Sequence, residues 1–270
     1  MSNIQLLTRE EIQKSAPAVY AKAPKSSMTD RYTFVSTEKI IDDFAEAGWY
    51  PTKAFQSKPS KRTLHRNPAE RKHVVRLSNP SFAPVMKEVG SLTPEILLIN
   101  SHDGSSGIRM EIGLYRMVCS NGLVIADSRF AQIKKRHSGE KDEIFRIVAE
   151  AGKEFPEIWN KIDEYRSIHL TNGQRLDFAS KMIEFNWNED SVISPEALLV
   201  SRRGEDEDDD LFTTYNVLQE NLIKGGAQYI HPLRGTVRKT KAIKNADRDI
   251  RINQQLWILM EAFRTSKKFR

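Results

Sequence analysis

The densest run of side chains able to do chemistry is Asn100-Ser101-His102-Asp103-Gly104-Ser105-Ser106-Gly107, followed downstream by Cys119-Ser120-Asn121-Gly122. An imidazole beside a carboxylate is the material of acid–base catalysis or of a metal site. Neighbours on a strand point to opposite faces, but in a turn His102 and Asp103 can converge. Together with His137 and Cys119 they would make a mixed ligand set, and a metal-dependent enzyme using His102, Asp103 and His137 is one reading. The spacings match no established zinc pattern, so no metal or other cofactor is expected. The competing reading is local. The Asn100 and Asp103 side chains bond turn amides, while Ser105 and Ser106 face a ligand such as a phosphate. Asn121 belongs to the second turn. Cys119, next to an apolar strand, reads as a small buried hydrophobe rather than a nucleophile. Gly104 to Gly107 lacks the Gly-Lys-Ser/Thr ending of a P-loop, which speaks against ATP.

Both turns need strands to hold them. Glu95 to Asn100 reads as a buried strand, and Ile108 to Val118 alternates as a strand with one buried face does. Asp103-Gly104 and Asn121-Gly122 are the strongest turn signals in the chain. Upstream, Tyr32 to Val35, Trp49 to Phe55 and Lys72 to Leu77 read as strands. Thr37 to Ala47 reads as a helix capped by Ser36 or Thr37 and ended by Gly48. Lys53 to Arg71 reads as an exposed basic loop. Helical spacing dominates after residue 140, with helices near Thr171 to Phe185, from Ser194-Pro195 to Val200, Leu211 to Ile223, and Asp249 to Phe263. Glycines 225 and 226 end the third of these. This predicts an α+β fold, an antiparallel sheet in the N-terminal half packed by helices and a mainly helical C-terminal half. The expected division is a loosely ordered arm over 1–30, in which a Thr8–Glu11 capping box leads a short helix interrupted by Pro17, a β-rich core over 31–140, and a helical part over 141–270. That last part carries an acidic loop at 202–210 and forms one compact unit with the core.

The chain has 270 residues, 39% hydrophobic and 29% charged, and one cysteine. No apolar run reaches the roughly 20 residues of a membrane span, and the N-terminus does not read as a signal peptide. A cytoplasmic protein without disulfides is therefore expected, with no membrane partner. The net charge of +6 is unevenly spread. From residue 53 to 76 there are eight cations, Lys53, Lys58, Lys61, Arg62, Arg66, Arg71, Lys72 and Arg76, against Glu70 alone. Seven more lie between 234 and 251, among them Arg234, Arg238, Lys239, Lys241 and Lys244, against two aspartates. Lys134, Lys135 and Arg136 form a shorter basic run. Such stripes suit a polyanion, through neutralised phosphates and released counterions. Residues 205–210 are six acids in a row, which repel one another and read as a solvated loop.

Several blocks taken together resemble a known family. N-S-H-D-G-S-S at 100–106, R-M-V-C-S-N-G-L-V at 116–124 and His137-Ser138-Gly139 are three of them. Y-N-V-L-Q-E-N-L-I at 215–223 with Gly225-Gly226, and N-Q-Q-L-W at 253–257, are the others. They are similar to a phage/plasmid-like family of unknown function found in phages, prophages and plasmids. The resemblance spans about residues 30 to 263 and implies association with mobile elements, but it supplies no reaction. A weaker architectural similarity is to the single-strand annealing recombination proteins: a helix ending in Gly-Trp, Ile40 to Trp49, runs into a strand, then a hairpin, then helices. Those proteins form rings or filaments that hold single-stranded DNA in a basic groove.

The expectation is therefore a non-catalytic nucleic-acid-binding protein that favours single-stranded DNA and forms homo-oligomers. Its phosphate contacts would come from the three basic stretches. The alternative is an interaction protein of mobile elements that binds a host factor.

Overall fold

The computed structural model describes residues 4–29, 32–57, 67–82, 92–116, 121–124, 133–135, 160–187, 193–231, 233–243 and 245–266. The strands are β1 (Tyr50–Gln56), β2 (His73–Ser78), β3 (Leu92–Asn100), β4 (Ile108–Arg116), β5 (Asn121–Val124), β6 (Ile133–Lys135), β7 (Gln228–Ile230) and β8 (Val237–Lys239). The helices are α1 (Arg9–Ser15), α2 (Thr37–Glu46), α3 (Asn172–Asn186), the single turn α4 (Pro195–Leu198), α5 (Leu211–Lys224) and α6 (Ala246–Thr265). This is an α+β fold, with an antiparallel sheet in the N-terminal half and helices in the C-terminal half. Its contacts gather into two units, residues 1–118 with 127–155 and residues 119–126 with 156–270.

In the first unit, β1 to β4 pair in chain order, each antiparallel to the next. β6 pairs with β4, Lys134 opposite Arg109. The middle strands are apolar on both faces: Val74, Val75 and Leu77 of β2 and Ile96 to Ile99 of β3 are all buried. Half-buried Arg76 and buried Glu95 form an ion pair among them, Arg76 Nε donating to the carboxylate. Burial pushes the Glu95 carboxyl above its usual range against the pull of Arg76.

α2 starts where Ser36 accepts from the Lys39 amide at 3.3 Å and buries Ile40, Ile41 and Phe44. It ends in a Schellman motif. Gly48, at φ +83°, donates to the Ala45 carbonyl, and the Trp49 amide reaches back to Phe44 at 2.9 Å. That closure buries Trp49 completely as the chain enters β1.

The described part of the segment before residue 30 carries the short helix that its Thr8–Glu11 capping box predicts, α1, and Ile12, Ala16, Ala18 and Val19 are buried. Two expectations need correction. Tyr32 to Val35 forms no strand. Lys53 lies inside β1 rather than in a loop.

The second unit is built on α5. Twelve of its residues, Leu211 and Phe212 and then Thr214 through Ile223, are buried, so it is a core helix rather than the one-sided helix that its apolar spacing predicts. Trp257 of α6 meets Tyr165 and Tyr215 edge-on at 5.6 and 6.5 Å. Phe178 of α3 stacks on Phe263 at 4.9 Å. α5 ends at Gly225, φ +69°. A Cβ there would lie 2.5 Å from the Thr240 carbonyl oxygen, so only glycine lets the chain after β8 pass this close.

Candidate nucleic-acid interface

The Asn100 to Gly107 turn is built inward. Gln56, His73 and Asn100 stand opposite one another on β1, β2 and β3. This polar rung meets the N-terminal segment. Gln56 Oε1 accepts from the Ala18 amide at 3.0 Å, and Asn100 Nδ2 donates to Thr37 Oγ1 at 2.9 Å. Thr37 Oγ1 lies 2.8 Å from His73 Nε2, and His73 Nδ1 lies 2.9 Å from the Arg71 carbonyl. A carbonyl only accepts, so the proton sits on Nδ1 and Nε2 accepts from the threonine hydroxyl. Burial, reinforced by His102 against the Arg71 bond, lowers the His73 pKa to about 4, so the ring is neutral.

His102 is fully buried. Its Nε2 donates to the Ala18 carbonyl at 3.0 Å, and its ring lies 5.1 Å from that of His73. Asn100 and Asp103 do bond turn amides, those of Ser101 at 2.8 Å and Ser105 at 2.9 Å. Ser101 and Ser106 close the turn on each other at 2.8 and 2.9 Å, and Ser105 is exposed. The arrangement fastens Ala18 and Thr37 to the end of the sheet, and it engages both nitrogens of His73 and Nε2 of His102. Thr37 and His73 are the members that the sequence does not announce, because His73 reaches Asn100 through strand register and Thr37 through the packing of the start of α2 on the sheet. Cys119 and His137 lie outside the described residues, and Asn121 opens β5.

The expected phosphate ligands divide three ways. Lys58, Lys61, Arg62, Arg66, Arg136 and Lys244 lie outside the described residues. Lys53 is exposed on β1, Arg71 and Lys72 are half-buried, Arg76 is committed to Glu95, and Lys134 and Lys135 lie on β6. Arg234, Arg238, Lys239 and Lys241 come together on the β7–β8 hairpin or just after it. All four are exposed, and none of their side chains is hydrogen-bonded or ion-paired to another described residue.

That hairpin is seated by backbone bonds. Gly226 donates to the Thr240 carbonyl at 2.9 Å, Thr240 to Ala227 at 2.9 Å, and Ile243 to Ile223 at 2.8 Å. Beyond this base, Ile230 and Val237 stand opposite each other at 53% and 67% exposure, and Leu233 at the tip is 91% exposed. Against the base lies a groove of about 470 Å³, whose walls include Trp187, Tyr229, Lys239, Lys241, Asn245 and Arg248. These residues come from three places in the chain, so no local pattern announces the groove. A second cavity, of about 760 Å³, is lined by Glu196, Val200 and Arg202 among others and has no aromatic wall.

The acidic stretch is a loop around one 3-10 turn, but only partly solvated, contrary to its reading as a solvated loop. Asp206 is buried and pairs with Arg203 at 3.2 Å; Arg203 also reaches Glu220 of α5. Burial would raise the Glu220 carboxyl, but Lys224, Arg203 and Arg202 outweigh it and hold its pKa down. Asp210 is buried and caps α5 by accepting from the Thr213 amide at 2.8 Å. Asp208 and Asp209 remain exposed beside His169, the donor atoms of all three lying within 4.8 Å of one another. His169 Nδ1 bonds Asp209 at 2.5 Å, which raises the imidazole pKa. Among the described residues, metal-ligand residue types thus gather here rather than at His102 and Asp103.

No helix among the described residues is long and apolar enough to cross a membrane. The comparisons with known proteins point one way. The model of a domain of unknown function, DUF932, matches residues 24–257. Two proteins of Escherichia coli strain K12 are similar over 267 residues, 96% of this chain and 92% of each relative: the UPF0380 protein YafZ at 34% identity and the UPF0380 protein YfjQ at 33%. No solved structure is significantly similar. With its family model covering most of the length and two relatives aligned almost end to end, the chain belongs to the DUF932 family.

Proposed function

We propose that this protein binds nucleic acid without catalysing a reaction, and that the β7–β8 hairpin supplies the phosphate contacts. One observation carries the reading: Arg234, Arg238, Lys239 and Lys241 are exposed and unpaired among the described residues, on one short, well-seated hairpin. Cations left without acids are free to replace the counterions of a polyphosphate, which is the main source of affinity in such complexes. The buried imidazoles of the Asn100 turn are engaged in holding the fold, which leaves that turn no evident reaction to perform.

The test is anisotropy of a short labelled oligonucleotide at increasing salt. Affinity should fall steeply with salt, and R234E/R238E should weaken binding by roughly tenfold or more at low salt while leaving the melting curve in place. Unchanged affinity in that folded double variant would overturn the reading. So would wild-type protein that binds no oligonucleotide at low salt; the exposed Ile230, Leu233 and Val237 would then favour a protein partner.

A further inference from the structure

The groove at the foot of the hairpin has a composition that phosphate binding alone does not require. Trp187, which caps the C-terminal end of α3, and Tyr229 of β7 both line it. Both are half-buried, and among the described residues neither ring stacks on another aromatic ring. Lys239, Lys241 and Arg248 are exposed around them. Arg248 is steadied by a 3.5 Å bond from its guanidinium to the Asn186 carbonyl.

We infer that this groove takes an unpaired base of a single-stranded nucleic acid, stacked on Trp187 or Tyr229, with the flanking phosphates on Lys239, Lys241 and Arg248. The inference rests on the nucleic-acid reading above and names the form of nucleic acid bound. Aromatic rings beside a cationic track are the common means of holding single strands, because every base offers a π-face and a base inside a duplex has already spent its own. The volume lies in the range of ordinary ligand sites, roughly 300–1,000 Å³. A free nucleotide fits less well. The cations continue past the groove along the hairpin to Arg238 and Arg234, and only a polymer reaches them all. An acidic peptide would satisfy the charges and leave the rings unused.

The experiment compares an oligothymidylate, an abasic strand of equal length and a duplex, at fixed salt. The oligothymidylate should bind tightest. Trp187→Ala should weaken it on the order of tenfold without changing the salt slope. Trp187→Phe, which keeps a stacking face, should restore most of the loss. R248A should instead reduce the slope by about 0.7, the value of one phosphate on a single strand. Oligothymidylate should quench a component of the tryptophan fluorescence that is missing in the Trp187→Phe protein, and the abasic strand should not. If Trp187→Ala does not fold, Tyr229→Ala and the quenching comparison decide. Equal binding of abasic and thymidine strands, or tighter binding of the duplex, overturns the groove assignment. When R234E/R238E still weakens those complexes, the hairpin reading stands and only the base-stacking inference falls. When no strand binds, both fall.

Discussion

His73 shows how one buried ring governs behaviour. Its ring is buried, neutral and bonded at both nitrogens, and its pKa is pushed to about 4 from an ordinary 6.5. The folded state therefore binds this proton less readily than the unfolded chain. Stability from His73 is complete above about pH 6.5 and is lost as the pH falls toward 4, on the order of 3 kcal/mol over the window. Urea midpoints measured from pH 7 down to 4 should fall, and His73→Gln should flatten that descent while lowering the starting value at pH 7. An unaltered slope in the variant would assign the acid sensitivity to other groups. Residue-level chemistry was legible in the sequence only where it is local. Asn100 and Asp103 bonding their own turn follows from their types and position. The burial of His102 does not, because it depends on Ala18, 84 residues earlier. His73 joins the cluster through strand register and Thr37 from the start of α2, neither of which composition encodes.

At the level of elements, capping signals survived best. Ser36 and Thr171 each start a helix with the side-chain bond that their types predict, and Gly48 ends α2; Asp210, read with the acidic loop, turns out to cap α5. Spacing misled where burial is two-sided. α5 shows a stripe of Leu211, Tyr215, Leu218 and Leu222, but its polar face is also inside, with Asn221 donating to the Leu198 and Val200 carbonyls at 2.8 and 2.9 Å. The acidic run before it looked like a repelling loop because its partners, Arg203 and the α5 amides, are not read from charge alone. Asp210→Ala should cost about 1 kcal/mol, read as a lower urea midpoint, through loss of the α5 cap. Gly225→Ala should cost more than about 1 kcal/mol, since an alanine there is strained in φ and its methyl would meet the Thr240 carbonyl. If the structure yields by moving residues 240–242, oligonucleotide affinity should drop with stability, because those residues carry Lys241 and seat β8. A Gly225→Ala protein with wild-type stability would mean that the close approach is not maintained in solution.

Over the whole molecule, the net charge of +6 conceals a division of labour among cations. Arg9 and Lys22 both hold Glu38, Lys181 holds Asp177, Arg203 ties Asp206 to Glu220, and Arg264 joins Glu164 and Glu261. Arg76 is the extreme case, at 11% side-chain exposure against a carboxylate at 8%. In the sequence it closes the 53–76 basic stripe and looks equivalent to Arg238. Structure separates them, since Arg76 lies inside the sheet and Arg238 on an exposed hairpin. The two should therefore fail in opposite ways. Arg76→Ala leaves a carboxylate buried without its partner, a change that typically costs about 3–5 kcal/mol. Protonation of Glu95, whose pKa is already raised, should recover part of that as the pH falls. The variant should show a lower urea midpoint at pH 7, a smaller deficit near pH 5, and an unchanged salt slope for oligonucleotide binding wherever it is folded. Arg238→Ala should keep the midpoint and lose about 0.7 from the slope. Measured side by side, the pair asks whether charge read along the chain or charge left unpaired in the fold decides what this protein binds. A slope that responds to Arg76 and not to Arg238 would locate the phosphate track on the sheet instead of the hairpin.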